Sequence, residues 1–298
     1  MSSVKVSILS AVWNEAKYIE AMIESVRSQN HTNLELLIAD DGSTADTVAR
    51  IKSIGPDDRI KVIHEGTKLG KVGAFNACFR AATGDVFILL AGDDLLTPGS
   101  LETRVRSVES GGGSSARRTA SFAKLETFSE QEKFDGIISP RGNRGNRSGG
   151  TVTMTRSLAD EVFPIPEELI SEDIWLAEVV AIRASDIVEL PEVVLKYRIH
   201  EANSNPRHLA YAEMSRAMHA RMKAFDLLLS QERFPLSSTQ EQRVKDSIAL
   251  ENLRFGRKPL GVLLNPRTAP VPRLRALFGS SEFLFSVRTR FYKFFSAR

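Results

Sequence analysis

Two adjacent carboxylates, Asp93 and Asp94, follow directly on an apolar run from Val86 to Leu90. Paired acids just past a buried strand suit a hard divalent cation such as Mg2+ or Mn2+, which prefers oxygen ligands and shares its shell with phosphates. Such an ion offsets developing negative charge and acts as a template. The same residues also fit a helix N-terminus ahead of Pro98, where acids favour the helix dipole. Three further clusters carry a comparable double reading. Asp40-Asp41-Gly42-Ser43 closes the apolar run from Leu34. A carboxylate there accepts hydrogen bonds from a base or ribose, with Gly42 letting backbone approach a ligand, or it caps a strand-to-helix turn. Gly70-Lys71, with Asn76 behind it, opens a helical segment where a lysine and amide donors together can bind phosphate. The glycine spacing of a P-loop is missing. Glu172-Asp173 precedes Ile174, Trp175 and Leu176, and either caps a helix or supplies a general base to an acceptor hydroxyl, its pKa raised by burial. His200, after Tyr197-Arg198-Ile199, can ligate a metal or donate to a diphosphate. His31, His64, His208 and His219 have no such setting and are read as structural.

These groups need a scaffold, and the apolar spacing predicts one. Val4 to Ala11 reads as a buried strand, and Tyr18, Ile19, Met22, Ile23 and Val26 recur at helical spacing. Leu34 to Ala39 is a second strand, followed by a short helix around Val48 and Ile51, a strand from Ile60 to His64, a helix from Leu69 to Ala82 and a strand from Val86 to Leu90. This alternation predicts an α/β fold, a mostly parallel sheet flanked by helices. Asp40-Asp41 and Asp93-Asp94 then fall at strand C-termini, where open α/β sheets bind ligands. The rhythm breaks near Ser110, at Gly111-Gly112-Gly113-Ser114-Ser115, and Arg141 to Gly150 reads as an exposed loop. Beyond it come a short strand, a helix after Thr155, another from Ser171 to Arg183, and a strand from Val193 to Arg198. From Asn205 onward the pattern is helical, with long segments from Met214 to Leu229 and from Thr239 to Phe255.

The 298 residues are 42% hydrophobic and 26% charged, enough apolar material for a real core. No leader-like start is visible, and no apolar run approaches the roughly 20 residues of a spanning helix. The single cysteine, Cys78, excludes an internal disulfide and fits a reducing compartment, so a cytoplasmic protein is expected. The net charge of +3 is uneven, with ten Lys/Arg and one acid, Glu282, from Arg254 to the end. There Arg273, Arg275, Arg288, Arg290, Lys293 and Arg298 alternate with leucines and phenylalanines. Such a tail fits an anionic membrane surface, placing the protein peripherally at the inner face. It equally fits a helical subdomain packed on the core or on a second copy in a homo-oligomer. Charge confined to the tail, without a recognition motif, argues against nucleic acid as a partner.

The order and spacing of these motifs resemble family 2 glycosyltransferases over about Val4 to Ser204. Ser10-Ala11-Val12-Trp13-Asn14-Glu15 is similar to the end of that family's opening strand. Asp40-Asp41-Gly42-Ser43-Thr44-Ala45-Asp46 matches its Asp-Asp-Gly-Ser-Thr-x-Asp segment, and Gly70-Lys71-Val72-Gly73-Ala74-Phe75-Asn76 its Gly-Lys-x-x-Ala-x-Asn segment. Ala91-Gly92-Asp93-Asp94 stands where the family carries Asp-x-Asp-Asp, with Ala91 replacing the first aspartate. Ser171-Glu172-Asp173 resembles the Glu-Asp motif, and Tyr197-Arg198-x-His200-x-x-Asn203-Ser204 the region that closes over the diphosphate.

The resemblance implies a GT-A glycosyltransferase domain over residues 1–204, with nucleotide-sugar binding in 1–109 and the acceptor and catalytic part in 110–204. A helical C-terminal extension covers 205–298. It implies an inverting, hexosyltransferase-like enzyme that moves a sugar from a nucleotide-sugar donor, by family frequency a UDP-sugar, to a saccharide or lipid-linked acceptor. Bacterial surface polysaccharide synthesis is the implied setting. Asp173 is the implied base. Ala11, Trp13, Glu15 and Asp41 fall on the donor, with Lys71 and His200 at its diphosphate. Asp93 and His200 hold Mg2+ or Mn2+, with Asp94, Glu172 and Arg198 beside them. A sugar-nucleotide nucleotidyltransferase is the rival enzyme, but residues 8–20 lack its Gly-rich loop with Arg and Lys. A degenerate nucleotide-sugar-binding module is suggested by Ala91 and opposed by intact Asp93, Asp173 and His200.

Overall fold

The computed structural model describes residues 4–110, 117–200, 210–233 and 235–290. They form two units that divide between Ile199 and His200. Gly111 to Ser115, Asn203, Ser204, His208, Lys293, Arg298 and the terminal phenylalanines lie outside the described residues.

In the first unit the apolar runs become strands buried on both faces, as parallel strands covered by helices must be. β1 (Val6–Val12), β2 (Leu34–Asp40) and β4 (Val86–Leu89) are almost wholly buried, and β3 (Ile60–His64) lies at the sheet's edge. Between them run α1 (Ile19–Arg27), α2 (Ala45–Ser53) and α3 (Gly70–Ala81). α1 turns Ile19, Met22, Ile23 and Val26 onto the sheet, the stripe its spacing predicts. β5 (Leu95–Leu96) and α4 (Ser100–Ser110) lead to β6 (Thr119–Ser129), β7 (Ile138–Ser139), β8 (Val152–Thr155), α5 (Arg156–Val162), α6 (Asp173–Arg183) and β9 (Asp186–Ile199). The sheet runs β3-β2-β1-β4-β8-β6-β9-β5, with β7 on β6. From β3 to β4 every pairing is parallel. β8 then pairs antiparallel with both β4 and β6, while β6 and β9 are parallel. The expected α/β sheet flanked by helices is therefore present, its parallel character concentrated in the first half.

Two buried charges tie the elements together. Glu35 lies within fully buried β2 and accepts hydrogen bonds from Ser7 Oγ (2.7 Å), Thr83 N (2.7 Å) and Lys5 Nζ (3.0 Å). Burial pushes its pKa up, but those donors outweigh it and hold the carboxyl at about 2. Arg104 on α4 is buried and donates to Ser100 Oγ, Val152 O, Thr153 Oγ1 and Gly150 O, the last at 2.6 Å. Burial lowers its pKa to about 9.

β6 is where the pattern reading falls short. Its sequence, Thr119-Ala-Ser-Phe-Ala-Lys-Leu-Glu-Thr-Phe-Ser129, shows no clean alternation, yet its first half is buried in the middle of the sheet. Its polar residues are matched instead of exposed: Ser121 Oγ meets Ser107 Oγ at 2.7 Å, and Thr155 Oγ1 accepts from Thr119 N at 3.1 Å. The strand expected from Val193 extends back to Asp186 because β6 pairs with it throughout. The loop expected at Arg141 to Gly150 is exposed from Arg141 to Arg144 and again at Arg147; Gly145 and Gly149 are buried.

The second unit is helical: α7 (Tyr211–Arg221), α8 (Lys223–Ser230), α9 (Ser238–Phe255), α10 (Pro259–Leu263), α11 (Pro270–Phe278) and α12 (Glu282–Arg290). The segment expected as one helix from Met214 to Leu229 breaks at Met222. α9 starts with a capping box between Ser237 and Gln240. Arg254 near its end is buried against Glu251, Ser215 and the Gly279 carbonyl. Among the described residues no helix is long and apolar enough to cross a membrane.

Candidate active site

Parallel pairing sets Val12 at the end of β1 beside Asp40 at the end of β2, and Asp41 N donates to Val12 O at 2.8 Å. Past this point the two chains lock together. Asn14, at a φ of 58°, donates its N–H to Ser43 Oγ and accepts from Thr44 N. Asp41 is buried, and its Oδ1 accepts from Leu69 N (2.6 Å) and Gly70 N (2.7 Å), the first amides of α3. Lys68 Nζ lies 3.6 Å from Asp41 Oδ2 and 4.0 Å from the centre of the Trp13 ring. Trp13 is 53% exposed and forms the open wall here. Gly42 has a φ of 72°, and a Cβ on it would come within 3.2 Å of Lys68 N. The glycine expected to admit a ligand thus also admits the loop that carries Lys68. Ala11, in register with Ala39, is only partly covered.

At the end of β4, ligand atoms of Glu15, Asp93 and His200 lie within 4.8 Å of one another. His200 is peptide-bonded to the last residue of β9, which sets its place. Two carboxylates and an imidazole make a donor set for a divalent metal ion. Glu15, expected on the donor, stands in this group. Gly92 makes room for it, since a Cβ there would sit 3.0 Å from Glu15 Cγ and 3.2 Å from Val12 Cγ2. Arg198 latches the acidic turn: Nε donates to Asp93 O at 2.8 Å and its backbone N to Asp94 Oδ1 at 2.9 Å. Its guanidinium lies 4.5 Å from the Tyr18 ring centre and 4.3 Å from that of Phe128. Burial, reinforced by the charge of Asp93, pushes the Asp94 carboxyl well above the usual carboxylate range.

Across α3, Lys71 Nζ donates to Glu172 Oε1 at 2.9 Å. Glu172 is buried, and its Oε2 has no hydrogen-bond partner. Burial and the neighbouring Asp173 raise the Glu172 pKa against the pull of Lys71. Burial alone would lower Lys71, but Glu172 and Asp173 outweigh it and hold the ammonium above its ordinary value. Asp94 also feels this cation, so Lys71 serves both acidic pairs. Asp173 opens α6, and its Oδ1 accepts from Gly149 N at 3.1 Å. A Cβ on Gly149 would come 3.1 Å from Glu172 Oε1 and 3.5 Å from Asp173 Oδ1. Arg104 holds the adjacent Gly150 carbonyl, and Trp175 Nε1 donates to Val162 O at 3.0 Å, pinning α6 to α5.

Asn76 stands apart from these groups: it is buried, exchanging two 2.8 Å hydrogen bonds with the backbone of Ile165. Lys68, Phe128, Gly149 and Arg104 were not legible from pattern, and Tyr18 was legible only as part of a helix's apolar stripe. Of the first four, only Lys68, next to the Gly70-Lys71 motif, and Gly149, in a Gly-Gly pair, carried any local signal.

Known proteins share both sequence and fold with this chain. An uncharacterized glycosyltransferase of Nostoc sp. is 29% identical over 239 residues, covering 74% of this chain and 71% of that protein. An uncharacterized glycosyltransferase of Haemophilus influenzae is 30% identical over 142 residues, 47% of this chain and 42% of its own length. Among solved structures, S. aureus TarS 1-349 in complex with UDP-GlcNAc matches with a TM-score of 0.62 at 17% identity, over 95% of this chain and 83% of that one. Mannosyltransferase PcManGT from Pyrobaculum calidifontis, in complex with GDP-Man and Mn2+, matches at 0.60 and 16% identity, over 97% and 76%. The family model for glycosyl transferase family 2 matches residues 7–163, more than half of the chain and all of the strands that carry Asp41 and Asp93. The chain belongs to glycosyl transferase family 2.

Proposed function

We propose that this glycosyltransferase moves a sugar from a nucleoside-diphosphate donor to an acceptor hydroxyl with inversion at the anomeric carbon. The observation that carries this reading is the convergence of Glu15, Asp93 and His200. These three would hold Mg2+ or Mn2+, and the ion would supply charge compensation to the departing diphosphate. Asp173 takes the proton from the acceptor hydroxyl as its oxygen attacks the anomeric carbon. The bond from that carbon to the diphosphate oxygen breaks on the opposite face, and the nucleoside diphosphate leaves. Trp13 offers an exposed ring to the base, beside Asp41 and Ala11. Lys71, already paired with Glu172, adds positive charge on the leaving-group side.

TarS is known with UDP-GlcNAc and PcManGT with GDP-Man, which makes UDP- and GDP-hexoses the first donors to try. A saccharide or lipid-linked acceptor in bacterial surface polysaccharide synthesis, reached from the cytoplasmic side, fits the chemistry. The test is release of nucleoside diphosphate from a donor panel with Mn2+, followed by NMR of the product's anomeric configuration. Inverted product is expected. Retained configuration would overturn the single-displacement reading, and donor binding without release or transfer would favour a binding module, as the alanine at position 91 suggests.

A further inference from the structure

In the second unit, α10 and α11 pack on α9 through one side each. Val262 and Ala276 are buried with Leu250, and Leu253 and Leu277 close around them. The opposite sides are apolar as well. Leu260, Leu263 and Leu264 stand at i, i+3 and i+4 and face water, Leu260 and Leu264 at 71% and 74% exposure. Val271 and Leu274 repeat the i, i+3 spacing on α11 and are exposed too. Five large exposed apolar side chains on two contacting helices go beyond the scattered leucines of an ordinary soluble surface.

The charged residues of this segment are of one sign. From Arg257 to Arg275 there are five basic residues and no acidic one. Arg257, Lys258, Arg267 and Arg275 are all exposed. Leucines on a helical face rimmed by cations match the two layers of an anionic bilayer surface, apolar chains below and phosphates above. A second copy of the same face would bring like charges together, which disfavours self-association. We propose that the α10–α11 face docks peripherally on anionic phospholipid bilayers, with Leu260, Leu263, Leu264, Val271 and Leu274 entering the headgroup boundary. This face lies upstream of the terminal phenylalanines that the sequence first brings to notice. It depends on no assumption about donor, metal or base, so it stands or falls apart from the proposed transfer.

The test is co-sedimentation of the full chain with phosphatidylglycerol/phosphatidylcholine vesicles and with pure phosphatidylcholine. Binding to the anionic vesicles alone, weakening with salt, is expected. Leu260→Ser with Leu264→Ser should lower the partition coefficient about tenfold or more. Arg257→Gln with Lys258→Gln should lower it by roughly tenfold. Val271→Ser with Leu274→Ser serves as a second pair if the first disturbs folding by circular dichroism. No sedimentation, equal binding to both vesicle types, or indifference to all three pairs would overturn the proposal. So would a dimer, seen by light scattering, that the leucine substitutions dissolve.

Discussion

Asp173 and Lys71 show how much one side chain's meaning depends on its neighbours. Asp173 keeps an amide donor on Oδ1 from Gly149 and opens α6 beside a buried glutamate. As the proposed base, its replacement Asp173→Asn should lower kcat/KM by about 10²–10⁴-fold. The UDP Kd, measured by calorimetry, should stay within about twofold, because the substitution is isosteric and lies on the proton's side of the reaction. Turnover near the parent rate would sink the assignment. Lys71 is different: it is the counter-charge of a glutamate that has little access to water. Lys71→Met strands that carboxylate and should cost about 2–4 kcal/mol in urea unfolding, less than breaking a fully buried pair because the lysine is partly exposed. Adding Glu172→Gln should restore at least half of the loss. If the double substitution is as unstable as the single, the pair is not what holds α3 to α6.

At the scale of elements, the site is built where strand ends meet helix starts. β2 delivers Asp41 to the first amides of α3, and the turn after β4 delivers Asp93 to Glu15 and to the residue after β9. Glu35 fastens β2 to β1 and to the turn before β4. Glu35→Gln should therefore cost about 2 kcal/mol at neutral pH, the scale of hydrogen bonds to a buried charge. The sign with pH follows from its depressed folded pKa. The contribution is full above the unfolded value near 4.5 and is lost as pH falls through about 2. The gap between parent and variant in denaturant midpoint should accordingly narrow between those limits. A constant gap would mean that the carboxylate's charge contributes nothing. Most elements around these anchors were legible from spacing, since β1, β2, β4 and α1 bury regular apolar patterns. β6 was not, because its buried serines and threonines are satisfied by α4 and by Thr155, partners distant in sequence.

For the whole molecule, ligand binding leads to one thermodynamic expectation. If Glu15, Asp93 and His200 bind Mn2+ together with a nucleoside diphosphate, ligand at about 100 times Kd should add about 2.7 kcal/mol to unfolding. In a calorimetric scan this appears as a rise of several degrees with UDP and Mn2+, abolished by EDTA. An equal rise in EDTA would remove the metal from the binding step. The chain's membership of its family, the alternation of its first strands and helices, and the placing of Asp41 and Asp93 just past strand ends and of Asp173 at a helix start follow from local patterns, because apolar period and motif spacing are properties of contiguous residues. Tertiary structure alone decided the rest. It set Glu15 against Gly92, gave Asp41 its helix amides, paired Lys71 with Glu172 across 101 positions, and turned the leucines of α10 outward. Each of these depends on which distant surfaces meet, and on which polar groups are left without water when they do.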